Sequence, residues 1–273
     1  MNRSRFGIAL AMVAFALLSY YGTREKNPVT GETQHVGLSQ DQEVVLGLQS
    51  APEMADQFGG LDPDPSVQAD VETVGKRVVS QSVAQQTPYK FQFHVLADTQ
   101  TVNAFALPGG PVFITRALLQ RLGSEAQLAG VLGHEVGHVV ARHASEQIAK
   151  SQLAQGLVGA VGVATQDQQA AQAAAFVAQM TQLKYGRQDE LQADGLGVDL
   201  MSSAGYDPRE MIAVMEVLKK ASGGSRQPEF VSTHPDPGNR AEKIRQQIAA
   251  KFPSGVPANL TRGREIRMGD ASP

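Results

Sequence analysis

His134-Glu135-Val136-Gly137-His138 sets two imidazoles and a carboxylate within five residues. An α-helix turns about 100° per residue, so residues four apart lie almost in line and both rings share one face, about 6 Å apart along the axis. One metal ion is within joint reach of both. Glu135 falls about 60° from His138 on the same wheel, close enough to touch water on that ion without binding the ion itself. The chemistry such a set would support is metal-assisted hydrolysis.

The flanks predict the helix that this requires. Residues 125–133 and 139–143 contain no Pro and carry apolar side chains at helical spacing, and Ser124 is a suitable N-cap. Two protein nitrogens do not complete a catalytic zinc site, which takes a third protein ligand and leaves a fourth position for water. His143 lies five residues past His138, about 140° round the wheel, and the metzincin pattern instead needs a His six residues on after a helix-breaking Gly. Ala144 and Ala141 occupy those two positions, so His143 is expected to be an ordinary helix-face residue. A second predicted helix carries Glu190 and Asp194, four apart, so that one carboxylate could reach the metal while the other orients a ligand histidine.

Four blocks in order make the chain resemble the gluzincin family of HtpX, the CAAX prenyl protease and the BepA-type peptidases. They are Asn103-Ala104-Phe105-Ala106-Leu107-Pro108-Gly109-Gly110, His134 to His138, Arg187 with Glu190 and Asp194, and Ser232-Thr233-His234-Pro235 ending at Arg240. The resemblance covers roughly residues 41 to 250. It implies one Zn2+ per chain held by His134, His138 and Glu190, with Glu135 as general base and Asp194 behind the ligands. It also places His234 near the cleft, either to donate to the developing oxyanion or to fill the open zinc position and hold the enzyme latent; Arg187 and Arg240 would support the site. The implied fold is α+β, a mainly helical zincin-like domain with a small β-sheet beside the motif helix. The chain resembles a compact, single-domain periplasmic member, since neither several membrane helices nor helical repeats are evident.

Composition fits one substantial core: 42% of the 273 residues are hydrophobic and 19% charged, which argues against disorder. A net charge of −3 with no basic block gives no electrostatic reason to expect a nucleic-acid partner. Without Cys, disulfides and thiolate ligands are both excluded. At the N-terminus, Arg3 and Arg5 precede thirteen apolar residues from Phe6 to Leu18. That fits a secretory signal better than a spanning helix of about 20 residues, though an uncleaved anchor reaching Tyr21 is the alternative, so membrane association through the N-terminus stays open. The expected organisation is a signal or anchor over 1–21, a polar tether over 22–40, the peptidase domain over 41–251 and a loosely packed tail over 252–273.

Within the domain, Val67 to Ala84 has helical spacing and Tyr89 to Ala97 alternates as a half-buried strand, with His94 on its opposite face. Two short strands flank the turn Pro108-Gly109-Gly110-Pro111. An edge strand beside the motif helix would offer Asn103, Ala104 and Phe105 as a shelf for an extended peptide. Residues 151–186 include the apolar run 157–164, too short to span a bilayer, which reads as a core helix or a flap. The expected activity is hydrolysis of peptide or unfolded-protein substrates by a zinc metalloendopeptidase in periplasmic or envelope protein quality control. The alternative is a holdase-like factor for unfolded envelope proteins with a latent or weak peptidase site.

Overall fold

The computed structural model describes residues 3–165, 185–222, 230, 234 and 239–266. They fall into two compact units, one built from Met1–Ser39 and Arg142–Lys184, the other from Gln40–Ala141 and Tyr185–Pro273.

The larger unit centres on helix α5, Glu125–Val140, in which every residue from Ala126 to Val140 is buried. A helix apolar nearly all round must be wrapped by other elements. Three of them are α3 (Pro65–Ser80), α7 (Arg187–Ser203) and α8 (Glu210–Ser222), with α9 (Arg240–Lys251) packed against α7 and α8. Ser124 caps α5 as expected, its hydroxyl accepting from the Gln127 N–H at 3.2 Å. Asp64 does the same for α3, with Pro65 in the first turn where its missing N–H costs nothing.

A three-stranded sheet lies beside these helices in the order β3 (Gln92–Leu96), β5 (Pro111–Thr115), β4 (Ala104–Ala106). β5 is central and buried along its length, parallel to β3 and antiparallel to β4. β4 is therefore an edge, and it packs against α5. Helix α2, Gln40–Gln57, packs on the sheet through Ala55, which meets Leu96 and Phe113, and short helix α4, Arg116–Leu119, continues from β5. The strand expected over Tyr89 to Ala97 is real but shorter, and Leu96 is buried as fully as Val95 because α2 covers the face that alternation leaves to solvent. His94 is partly exposed, and burial lowers its pKa, as a structural residue would show.

The smaller unit overturns one expectation. Residues 22–40 are no tether: β1 (Arg24–Lys26) and β2 (Thr33–His35) form an antiparallel hairpin, with Asn27, Gln34 and Val36 buried. The Asn27 side chain holds the turn, accepting from the Val29 and Thr30 N–H groups and donating to Gln34. The apolar N-terminus forms α1, Arg3–Gly22, twenty residues long and so longer than its apolar run, and it packs on α6, His143–Thr165. The run 157–164 belongs to α6; most of the segment expected as a core helix or flap, residues 166–184, lies outside the described residues. The C-terminal stretch also departs from a loose tail. Thr261 bridges Tyr206, the Arg262 and Arg264 carbonyls accept from Ala126 and Glu125 at the start of α5, and Arg264 pairs with Glu125 at 2.6 Å.

The α5–α7 contact is made at backbone distance. A Cβ on Gly137 would sit 3.0 Å from the Ala193 carbonyl oxygen, and one on Gly197 would sit 3.2 Å from the His134 nitrogen. Gly137→Ala should therefore destabilise the domain by about 1–3 kcal/mol through overpacking, although Ala is the better helix former by about 1 kcal/mol. A lower Tm is the expected result; a raised Tm would show that the helices separate without cost.

Candidate metal centre

Helix spacing puts His134 and His138 on one face of α5, and α7 presents Glu190 to it from across the glycine contact. The His134 Nε2 and His138 Nε2 atoms are 3.1 Å apart, and Glu190 lies 3.5 Å from each. His234 joins them, its Nδ1 3.0 Å from Glu190 Oε1 and 3.4 Å from His134 Nε2. All four side chains are buried.

These separations fit a cation. A regular tetrahedron with corners about 2.0–2.1 Å from its centre, the usual zinc distance to N or O, has edges of about 3.3–3.4 Å. The nitrogen–nitrogen separations of 3.1 and 3.4 Å lie around that value, as do those to Glu190, 3.5 Å from its Oε2 to His134 and 3.5 and 3.0 Å from its Oε1 to His138 and His234. His134 Nδ1 faces Asp194 Oδ1 at 3.0 Å and so carries its proton there, which leaves the Nε2 lone pair aimed inward. Converging lone pairs repel unless a cation lies among them. Glu190 Oε2 and Glu135 Oε1, both buried, also have no hydrogen-bond partner among the described residues, although Arg240 Nη1 lies 3.1 Å from the former as an ion pair. This donor set, two or three imidazoles and a carboxylate, suits zinc.

Arg240, the first residue of α9, holds the outer side. It grips Asp194 with two bonds, Nε to Oδ2 at 2.9 Å and Nη2 to Oδ1 at 2.7 Å. Burial opposes the Asp194 carboxylate, but Arg240 outweighs it and keeps the pKa below the usual carboxylate range. Glu190 is opposed by burial likewise, and its interactions with His134 and His234 hold its pKa below the usual carboxylate range. Glu135 goes the other way: burial raises its pKa, against the pull of His234 and His134, and its Oε1 lies 3.7 Å from His234 Nε2. For His134, burial disfavours the cation, yet Asp194 and Glu190 prevail and lift its pKa to about 9 without metal.

His134, His138, Glu190, His234, Asp194 and Arg240 are thus brought together, with Glu135 at the edge. Arg187 is exposed and, among the described residues, bonds to the Asn239 side chain at 3.3 Å, next to Arg240. Asp189 folds back on the Gly186 N–H at 2.8 Å and starts α7. His143 is not on the motif helix, which ends at Val140; it is the buried first residue of α6, in the other unit. Ser232, Thr233 and Pro235 of the His234 block lie outside the described residues. Sequence reasoning does not find Tyr185, stacked on His138 at 4.2 Å, or Phe230, stacked on His234 at 4.6 Å. Neither sits in a periodic pattern that would mark it.

On the proposed shelf, the Asn103 carbonyl accepts from the Thr115 N–H and the Leu107 N–H donates to Pro111. Antiparallel alternation then turns the backbone groups of Val102, Ala104 and Ala106 to the open edge. Asn103 is buried, and Phe105 stacks on Phe113 at 4.9 Å. Among the three shelf residues, Ala104 is the one whose main chain faces outward.

A buried His-Glu-x-x-His helix beside a short sheet, met by a carboxylate from a second helix, defines a zincin-like metallopeptidase domain. The chain belongs to peptidase family M48, whose model matches residues 65–248. It is 32% identical over 219 residues to the β-barrel assembly-enhancing protease of Escherichia coli K12, covering 75% of this chain and 44% of that protein. It is 31% identical over 242 residues to the mitochondrial metalloendopeptidase OMA1 of Schizosaccharomyces pombe, covering 87% of this chain and 70% of that protein. The chain thus spans less than half the length of the β-barrel assembly-enhancing proteases that it matches.

With His134 as a ligand, zinc would have to displace its proton wherever the pH is below about 9. Apparent zinc affinity should therefore climb by up to about tenfold per pH unit from pH 7 to 9 and then level, as measured by competition with a chelator. A flat profile would show that His134 holds no such proton in the metal-free protein.

Proposed function

We propose that the protein is a zinc-dependent metalloendopeptidase that cuts extended or unfolded polypeptide chains, acting in the periplasm or cell envelope in protein quality control. The observation that carries this is the convergence of His134, His138 and Glu190 with Glu135 beside them. His134, His138 and Glu190 would hold the ion, and Asp194 and Arg240 would fix His134 and Glu190 in place. Zinc bound there supplies Lewis acidity that makes water nucleophilic near neutral pH. Glu135 takes the proton from the attacking water on its carboxylate and returns it to the leaving amine. Its raised pKa makes the carboxylate a stronger base towards the attacking water. An extended substrate would lie along β4, using the outward main-chain groups of Ala104 and Ala106. The β-barrel assembly-enhancing proteases motivate the envelope setting, and α1 is the exporting or anchoring segment.

Two observations favour a latent form of this enzyme, and with it the holdase-like alternative. His234 Nδ1 stands at the fourth corner of the donor set, where a catalytic site keeps an open position. The Phe230 N–H donates to the Val102 carbonyl at 3.2 Å, so the chain's own backbone occupies one outward acceptor next to the edge strand.

Glu135→Gln keeps size and packing but removes the base. Hydrolysis of casein should fall by on the order of a hundredfold or more while zinc content and fold survive. His234→Ala should raise basal hydrolysis several-fold by freeing the fourth position; a fall in kcat would instead make His234 the oxyanion donor. A His234→Ala protein that binds unfolded chains yet cuts no faster than the Glu135→Gln, His234→Ala double variant would establish the holdase.

A further inference from the structure

We propose that α1 stays on the mature chain as a bilayer-spanning helix and that the apolar stretch of α6 over residues 156–160 lies beside it in the outer half of the same bilayer. This rests on the export proposed above and adds a second membrane-embedded element.

The twenty residues of α1 rise about 30 Å, the thickness of a bilayer's hydrocarbon core, and none is charged after Arg5. Phe6, Leu10, Phe15 and Leu18 are each more than half exposed, an apolar face that water would not tolerate but acyl chains cover. The ends suit the two interfaces. Arg3 and Arg5 mark one end, and at the other Tyr20 stacks on His35 at 4.3 Å, with Tyr21 edge-on at 5.6 Å.

α6 is fitted to α1 specifically. A Cβ on Gly156 would lie 2.8 Å from the Ala16 Cβ, and one on Gly159 would lie 3.2 Å from the Met12 Cε. Ala9, Ala16 and Ala160 are buried, in keeping with small-residue packing of helices in lipid. Beside this contact runs an open groove lined by the apolar residues Ile8, Ala11, Met12, Phe15, Ala16 and Gly156. The charged residues of α6, Glu146 and Lys150, precede this stretch, and none follows up to Thr165. Met12 is eight residues from Tyr20, so its partner Gly159 sits about 12 Å below the tyrosine level, within one leaflet. Removal of residues 1–21 as a signal would take away Met12 and Ala16 and leave Gly156 and Ala160 uncovered.

The chain has no Cys, so single cysteines report cleanly. Leu157 is 36% exposed and the Lys150 side chain 47%, so protein burial does not separate them. The full chain would be expressed with Leu157→Cys or Lys150→Cys, and spheroplasts treated with a membrane-impermeant maleimide. The expected result is an intact N-terminus by mass, retention in membranes washed with alkaline carbonate, and labelling of Leu157→Cys at least tenfold slower than of Lys150→Cys. A trimmed chain released in soluble form outside the cytoplasm would overturn this proposal and leave export standing, whereas full-length chain in the cytosol would overturn both. Equal labelling of the two cysteines in an anchored chain would overturn the placement of α6.

Discussion

Everything at the metal centre depends on how closely α5 and α7 approach. Helix axes normally keep 8–10 Å apart because side chains intervene. Here Gly133 and Gly137 face Ala193 and Gly197, backbone against backbone, so Glu190 and Asp194 arrive beside imidazoles that could not otherwise be reached by so short a side chain. The same closeness buries two carboxylates that α7 alone could not stabilise. Arg240 supplies the compensation, bridging Asp194 and Glu190 in one planar fork. The buried charges are therefore ordered from outside inward: guanidinium, carboxylates, imidazoles, and the place for the ion.

How much of this was legible in the sequence follows from the range of each interaction. His134, Glu135 and His138 are set by the geometry of one helix, and their spacing alone specifies their faces. Glu190 and Asp194 were legible as a pair on a second helix, though only the family resemblance assigned ligand and supporter between them. Arg240, a supporting candidate by resemblance, proves to touch both carboxylates, while Arg187 stays at the rim with Asn239.

What the sequence hid is pairing between irregular segments. The β1–β2 hairpin has three-residue strands of polar residues, so no alternation of apolar side chains announces it; a buried asparagine and its turn hold it instead. The stretch around Arg262 and Arg264 looks like a tail because it is polar and follows Pro253 and Pro257. Its anchorage consists of backbone bonds and ion pairs to residues from 52 to 194 positions earlier, which no local pattern encodes. Tyr185 and Phe230 are likewise visible only once distant histidines are in place beside them.

That distant anchorage also imposes a timetable. Arg264 bonds to Glu125 across 139 residues, and the donor set itself is closed only when Arg240 reaches α7. A chain made from its N-terminus thus emerges with the histidine helix long before the segments that lock it. Loop closure over such separations makes this pairing a late event in folding. A hydrolytic centre assembled last does not exist while the nascent chain is itself an unfolded polypeptide, the very material it would cut.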